Sequence, residues 1–486
     1  MTTIRRHGGG GSARCVVVGA GVGGLACAVR LAHAGHAVTV LEQGEAPGGK
    51  AGRVELHEGD RSWRFDSGPS LLTMPWVVRE LFEETGTPLP PLVPVEPVTR
   101  YRFADGSTVE LRASLEESRA ALDAWSPGTG AEWAAFLATC ERMWSASQPF
   151  LTGPPPWPPR RPAADAPTPD PRDLLRIKPW HTLRTLARAH TTDPRLRMVM
   201  ERFATYAGAD PRRAPAALAV AGYVEHAFGA WHVPGGIYEL VGALEMRLRA
   251  LGGELHYGQT VRGVVRGGHR RVAGVRTADG VVAGDHVVWN GDALALARQL
   301  DGGRHARAER SLSGLALMLA VDGRTPGHVH HEIRFPADYD AEMDDLFVRR
   351  RPVRDPTLYV STSSVTTQSE APPDGENWFV LANAPSGVDA DWAAEADRVV
   401  ARLGVGARVR ALAVRSPADL ERETGALGGA IYGAAPHGRL GTVGRPGHRV
   451  HGLGNLWRVG GTAHPGGGLP LVMLGGALVA REIGPG

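Results

Sequence analysis

Lysines, cysteines and long apolar runs are all scarce in this chain of 486 residues. Its three cysteines form no CxxC pair and lie in no His/Cys pattern typical of metal ligands, so we predict neither a disulfide framework nor a metal site. No apolar run reaches the roughly 18 residues that span a bilayer. The formal net charge is only +3, which gives no reason to expect a nucleic-acid partner.

A strand, a glycine-rich turn and a helix are predicted at the start of the chain. Cys15–Val18 has the length and β-branched content of a buried parallel strand. Leu25–Ala32 then repeats apolar residues at the spacing of one helix face. Between them stands a G-x-G-x-x-G motif formed by Gly19, Gly21 and Gly24. Glycines at these positions permit a tight turn, close approach to a pyrophosphate, and close packing of helix on strand.

The next residues complete a dinucleotide-binding unit. Ala37–Leu41 is predicted to be a second buried strand, and it ends on Glu42, 18 residues after Gly24. An acidic side chain near this spacing accepts hydrogen bonds from an adenosine ribose. The pattern predicts an α/β protein with a Rossmann-like domain. An Arg5-Arg6 pair before this unit resembles an export signal, but cleavage there would destroy the fold, so we expect a cytoplasmic protein.

A second glycine-rich strand–loop–helix pattern lies close to the C-terminus. Residues 455–459 are predicted to form a strand, 460–470 a glycine-packed loop, and 471–483 a helix. A loop of this kind presents N–H groups to an anion at the start of the helix. Two such loops in one chain would close a single long cleft, which suits FAD bound in an extended form better than NAD.

The chain is predicted to divide into three parts. A discontinuous FAD-binding domain is expected from residues 14–75, 232–300 and 426–486. Residues 76–231 are expected to form a mainly helical segment that contributes to substrate binding and faces a membrane, with short strands at 98–103 and 108–111. Residues 301–425 are expected to supply the sheet of an inserted, mixed α+β substrate domain. The Pro-rich stretch 153–171 is predicted to be an extended linker, because it can form neither a helix nor a central strand.

Five stretches resemble the bacterial phytoene desaturases, a group of carotenoid desaturases in the FAD-dependent amine-oxidase-like superfamily. The stretches are VVVGAGVGGLACAVRLAHAGHAVTVLEQGEAPGGKAGR, FDSGPSLLTMP, YAGADPRRAPAALAVAGYVEHAFGAWHVPGGIYELVGAL, GALGGAIYG and VGGTAHPGGGLPLV. GPSLLTMP and TAHPGGGLP are the parts most specific to desaturases. The resemblance implies an FAD-dependent enzyme that introduces C=C bonds into a long isoprenoid hydrocarbon by hydride transfer to the flavin.

The resemblance also implies which residues bind the cofactor. The first motif would hold the pyrophosphate, Glu42 the ribose, Val261 the adenine, and the C-terminal loop the ribityl chain and isoalloxazine. The implied set is Gly19, Gly21, Gly24, Glu42, Gly48, Gly49, Arg53, Val261, Gly461, Gly467, Gly468, Leu469 and Pro470. The proton released in the reaction would pass to His464, Glu225, His226 or water, and His464 would lie near the flavin by analogy.

A long hydrocarbon substrate predicts peripheral association with the inner face of the cell membrane, because exposing it to water costs roughly 0.8 kcal/mol per CH₂. Residues 150–160 and the arginines at 349–354 are the candidate docking elements.

Quinone and oxygen both stay open as the electron acceptor. The alternative functions are a 3,4-desaturase of hydroxylated carotenoids, a diapophytoene desaturase, and a carotenoid isomerase or flavoprotein carrier. An amine oxidase is disfavoured, because those enzymes commonly place a lysine from mid-chain near the flavin and no lysine follows Lys178.

Overall fold

A computed structural model describes residues 12–153, 171–301, 308–439, 441 and 444–486. The strands are β1 Arg14–Val18, β2 Ala37–Leu41, β3 Arg53–Glu58, β4 Arg61–Asp66, β5 Val93–Pro94, β6 Thr99–Arg102, β7 Thr108–Leu111, β8 Trp231–His232, β9 Glu254–His256, β10 Gly263–Arg266, β11 Val272–Arg276, β12 Val281–Ala283, β13 His286–Trp289, β14 Ser313–Asp322, β15 His331–Arg334, β16 Leu358–Ser361, β17 Gly375–Ala384, β18 Val409–Arg415 and β19 Leu456–Arg458. The helices are α1 Val22–His33, α2 Pro75–Glu84, α3 Leu115–Trp125, α4 Thr129–Leu151, α5 Pro171–Arg176, α6 Leu183–His190, α7 Pro194–Glu201, α8 Val220–Phe228, α9 Tyr238–Ala250, α10 Ala293–Asp301, α11 Tyr339–Met343, α12 Trp392–Leu403, α13 Pro417–Thr424 and α14 Leu469–Ile483.

The first glycine motif follows the central strand of a five-stranded parallel sheet with the order β19-β13-β1-β2-β9. Helices α1, α9 and α14 contribute to the hydrophobic core on one face. On the other face, the antiparallel sheet β10-β11-β12 contributes Val272 and Val275 to a second core. Both faces of β1 are therefore buried, which explains why its sequence is a continuous apolar run and not an alternating one.

Helices α1 and α14 pack with their backbones in direct contact. A Cβ atom at Gly476 would lie 2.9 Å from the backbone nitrogen of Cys27 and 3.1 Å from the carbonyl oxygen of Gly23. Only glycine permits this approach, which accounts for the small residues along α1. As a result, the beginnings of both helices line the same cavity.

A seven-stranded sheet forms the second layer, with the order β18-β14-β17-β16-β15-β6-β7. All of its pairs are antiparallel except β15 with β6. Strands β6 and β7 come from the segment 76–231 and confirm the two short strands predicted within it. The β3–β4 hairpin, which was predicted with the FAD-binding segments, packs Trp63 and Phe65 against this sheet. Pairing of strands that are distant in sequence therefore crosses the predicted segment boundaries.

Helices α3, α4, α6 and α7 cover one end of this sheet around a core that includes Tyr101, Phe136 and Phe203. The Pro-rich stretch predicted at 153–171 lies almost entirely outside the described residues. Among the residues that are described, no helix is both long enough and apolar enough to cross a membrane.

Candidate cofactor and substrate cavity

A cavity of about 620 Å³ connects the two layers. Its wall contains both glycine-rich loops, at the carboxyl ends of β1 and β19, together with Glu42 and Val261. It continues onto apolar side chains of the seven-stranded sheet and its neighbours, namely Leu312, Ala316, Ile333, Tyr359, Phe379 and Leu381. One continuous space thus joins a polar, backbone-lined part to an apolar part.

Asn290, which the sequence patterns did not single out, joins the two glycine loops. It follows β13, the strand between β1 and β19. Its Nδ2 donates to the carbonyl oxygen of Gly19 at 3.2 Å. A Cβ atom at Gly460 would fall 2.7 Å from Asn290 Oδ1, so this side chain fills the gap between the loops. The only signal in the sequence was a Trp-Asn-Gly-Asp stretch at the end of a predicted strand.

Glu42 has a fixed carboxylate on the cavity wall. Its Oε2 accepts from the backbone N–H of Ala20 at 2.7 Å, and its Oε1 accepts from the N–H of Gly44 at 2.9 Å. Each oxygen keeps a second lone pair, because a carboxylate offers about four acceptor positions. The position and chemistry of this carboxylate fit a ligand that carries hydroxyl groups, such as a ribose.

Ten of the thirteen predicted cofactor-binding residues line the cavity: Gly19, Gly21, Glu42, Gly48, Gly49, Val261, Gly461, Gly467, Gly468 and Leu469. Gly24 instead serves packing, since a Cβ atom there would lie 2.2 Å from Gly19 O. Pro470 lies in the first turn of α14. Arg53 points away from the cavity, with its Nη1 3.3 Å from Glu239 Oε1 and its guanidinium 5.1 Å from the centre of the Tyr238 ring.

Lys50 is a cation on the cavity wall that the predicted set does not include. Its Nζ donates to the carbonyl oxygen of Ile431 at 2.5 Å. Burial lowers the pKa of the Lys50 ammonium to about 8, against the opposing effect of Asp292. The sequence signal was its position beside Gly48 and Gly49, where a positive charge would face an anionic ligand.

The structure does not bring the predicted catalytic residues to the described cavity wall. His464 Nε2 lies 3.1 Å from the carbonyl oxygen of Gly153, and burial lowers the pKa of this imidazole to about 4. Glu225 lies behind the wall in an ion pair with Arg202, 3.2 Å away. His226 is likewise not part of the wall, and burial lowers its pKa. Their role as proton acceptors stays a prediction that this placement does not support.

The polar part of the cavity fits FAD. Two helix N-termini open on it and provide the amides and positive field that bind a pyrophosphate. At Gly468, no described residue other than its chain neighbours lies within 4 Å of the Cβ position. On the same wall, Lys50 adds one positive charge and Glu42 adds acceptors for ribose hydroxyls.

Comparisons with known proteins agree with this fit. Residues 22–316 match the family of flavin containing amine oxidoreductases. The hydroxyneurosporene desaturase of Cereibacter sphaeroides is 34% identical over 97% of both chains. The zeta-carotene-forming phytoene desaturase of Myxococcus xanthus is 32% identical over 97% of this chain and 93% of its own length.

Solved structures show the same fold. Putrescine oxidase bound to putrescine superimposes with a TM-score of 0.64 at 15% identity, covering 97% of this chain and 99% of that one. An oxidoreductase from Methanosarcina mazei gives a TM-score of 0.62 at 17% identity, covering 96% of this chain and all of that one.

The chain therefore belongs to the flavin-containing amine oxidoreductases. Within them it belongs with the carotenoid desaturases, as the motifs in the sequence predicted. It is an FAD-dependent oxidoreductase.

Proposed function

We propose that the enzyme desaturates a carotenoid, removing two hydrogens from neighbouring carbons of a long isoprenoid chain. The observation that carries this proposal is the continuity of the cavity, which passes directly from the glycine loops to an apolar wall formed by residues such as Ile333, Phe379 and Leu381. A polyene offers no charge for recognition and is held by apolar burial. The desaturases of Cereibacter sphaeroides and Myxococcus xanthus support this assignment.

The reaction breaks two C–H bonds and forms one C=C bond. When bound, FAD accepts the hydride and so supplies the oxidising chemistry. The apolar wall keeps water away from the reacting bond and holds the chain in an extended form. The carbon that loses the hydride carries an allylic cation stabilised by the polyene, and the adjacent carbon then releases a proton. The enzyme's task is consequently to position the substrate.

We propose that the predicted residues on the cavity wall hold the cofactor in the predicted order. Gly19 and Gly21 with the start of α1 receive the pyrophosphate, Glu42 the ribose, and Val261 the adenine. The C-terminal loop at 461–469 holds the flavin end. Lys50 contributes positive charge to the anionic stretch. Gly24 and Pro470 support the loops from behind, and Arg53 takes no direct part.

The seven-stranded sheet and its covering helices are proposed to form the substrate-holding part, with one side on a membrane surface. Leu175 and Trp180 are each 59% exposed, and they closely follow the Pro-rich stretch. The arginines at 349–354 are less suited to docking, because Arg349 and Arg351 both pair with Asp345, at 3.0 and 2.9 Å. We therefore place the lipid-contacting side near 175–180. Residues 154–160 of the other predicted docking element lie outside the described residues.

The test is turnover of carotenoid in liposomes by the purified, FAD-loaded protein. We expect products with red-shifted absorption and, without oxygen or quinone, bleaching of the flavin spectrum. Isomers without a red shift and a flavin that stays oxidised would identify an isomerase. A bound carotenoid with neither change would identify a carrier. Adding back quinone or oxygen separately then identifies the electron acceptor.

A further inference from the structure

A polar cluster interrupts the apolar part of the cavity. Arg202 and Tyr206 both line the wall. Behind them, Arg202 Nη2 donates to Tyr101 Oη at 2.6 Å and to Glu225 Oε1 at 3.2 Å, and its Nη1 donates to Tyr206 Oη. Tyr206 Oη in turn donates to Glu225 Oε2 at 2.8 Å. A hydrocarbon substrate makes no hydrogen bonds to such a cluster, and burying an ion pair costs desolvation free energy. The cluster therefore suits a substrate that carries a polar group.

The cluster carries no net charge. Burial alone would lower the pKa of Arg202, but its two tyrosines and Glu225 outweigh this effect and raise the pKa, so the guanidinium stays protonated. Burial raises the pKa of the Tyr206 phenol well above its usual value, so it stays neutral and remains a donor. Because Glu225 already balances the charge of Arg202, the site would attract an uncharged polar group and not an anion.

The cluster still has capacity for one more partner. A guanidinium has five N–H donors, two of them on Nη1. Among hydrogen bonds between described residues, the only acceptor for Arg202 Nη1 is Tyr206 Oη. Tyr206 Oη has a second lone pair, and Tyr206, which is 39% exposed as a residue, lines the cavity. A hydroxyl group could therefore accept from Arg202 and donate to Tyr206.

The cluster lies near the C-terminal glycine loop. Gly208, two residues after Tyr206, would place a Cβ atom 3.0 Å from the ring of Tyr432. A Cβ atom at Gly467 would lie 2.3 Å from the same ring. One tyrosine ring thus separates the loop proposed for the flavin end from the segment that carries the cluster. A substrate end held by the cluster would present bonds close to that end for reaction.

We propose that Arg202 and Tyr206 determine substrate specificity by holding a hydroxyl group on the end of the carotenoid, which directs desaturation to bonds near that end. This inference rests on the proposed desaturase function and adds the recognised end group and the residues that recognise it. The hydroxylated substrate pairs the remaining N–H of Arg202 Nη1 and the second lone pair of Tyr206 Oη. A hydrocarbon end leaves both unpaired in an apolar cavity, which is the arrangement that rejects an analogue without the polar group.

The test compares a carotenoid with a terminal tertiary hydroxyl and the matching hydrocarbon in liposomes, using FAD-loaded enzyme. We expect wild type to favour the hydroxylated substrate in kcat/KM. The double variant Arg202→Met/Glu225→Gln removes the charged donor without leaving an unpaired charge, and should reduce this preference about 10- to 100-fold, mainly through KM. Tyr206→Phe removes the acceptor for the substrate hydroxyl, together with the bonds of Tyr206 to Arg202 and Glu225, but keeps the charged donor. It should reduce the preference about 3- to 10-fold. The control is Tyr223→Phe, whose hydroxyl contacts Glu141 at 3.5 Å, and it should keep the preference.

The outcomes separate the two proposals. Turnover of both substrates by wild type with no preference, or a preference that Tyr206→Phe and the double variant both keep, overturns the hydroxyl site and leaves the desaturase function standing. Turnover of neither substrate overturns both. If the double variant does not retain FAD, Tyr206→Phe decides, because it keeps the ring and the ion pair. Analysis of the product adds an independent readout: the new double bond should lie towards the hydroxylated end.

Discussion

Replacing Gly21 by alanine would place a methyl group 2.9 Å from Asn290 Nδ2. The backbone of Gly21, with φ −67° and ψ 165°, suits any residue, so the effect of alanine is steric alone. The amide of Asn290 also holds Gly19 O and cannot retreat without weakening that hydrogen bond. The methyl group would therefore distort the first loop by its contact with Asn290, and it would not occupy the space of the ligand.

Overpacking of this kind costs about 1–3 kcal/mol. We expect Gly21→Ala to lower the melting temperature of the apoprotein and to weaken FAD binding about 10- to 100-fold, since each 1.4 kcal/mol is tenfold in Kd. In an Asn290→Gly background the clash is absent, and alanine at position 21 should then have little effect on either quantity. FAD fluorescence titration and thermal unfolding of the four proteins of this cycle provide the measurements.

One outcome would refute the reasoning: alanine at position 21 still weakens FAD binding in the Asn290→Gly background while the melting temperature recovers. The methyl group would then obstruct the cofactor itself, as the sequence motif by itself suggests. Gly242→Ala is a matched control, because no described residue outside the local turn of helix α9 lies within 4 Å of that Cβ position. It should leave FAD binding unchanged.

Three further predictions concern charge and surface. Lys50→Met should weaken FAD binding about tenfold at pH 7. In wild type, the affinity for FAD should fall as the pH rises above about 8, because the Lys50 ammonium loses its proton there, and the variant should lack this pH dependence. Burial raises the pKa of Glu342 to about 7, so the wild type loses stability as the pH rises from the ordinary pKa of a glutamate to this value. Glu342→Gln should therefore be more stable than wild type by up to about 3 kcal/mol at pH 8 but not at pH 4. Equal melting temperatures of the two proteins at both pH values would contradict this. The double variant Leu175→Ser/Trp180→Ser should reduce liposome binding more than tenfold at unchanged melting temperature, and unchanged sedimentation with liposomes would place the membrane contact elsewhere.

Local sequence patterns predicted much of the cofactor site. Both glycine loops and Glu42 lie on one cavity, as expected for elements at the carboxyl ends of parallel strands. Val261, which only the resemblance implied, lies on the same cavity. These positions are recognisable because their chemistry depends on short-range geometry: a tight turn, a helix start, and an acidic residue at the end of the next strand. The spacing between such residues is fixed by the strand–turn–helix unit itself.

The residues predicted as catalytic show what such patterns leave open, namely the direction of each side chain. Glu225 and His464 were chosen for their residue type and for motifs nearby, yet Glu225 faces Arg202 and His464 faces a backbone carbonyl. Which way a side chain points depends on packing between helices and strands that are distant in sequence. Asn290 and Lys50 were missed for the same reason, because each acquires its role only when a second loop folds against it.

The sequence by itself determined the parallel strands of the nucleotide-binding unit and both glycine loops, because periodicity and glycine spacing encode local geometry directly. Its resemblance to the desaturases, carried by motifs such as GPSLLTMP and TAHPGGGLP, identified the group. Only the tertiary structure decided how the second sheet is assembled from distant segments and which side chains face the cavity. It alone joined Arg202, Tyr101, Tyr206 and Glu225 into one polar cluster, since these residues come from a strand, a 3₁₀ turn and a helix. Such a cluster depends on long-range packing, for which a linear pattern carries no signal.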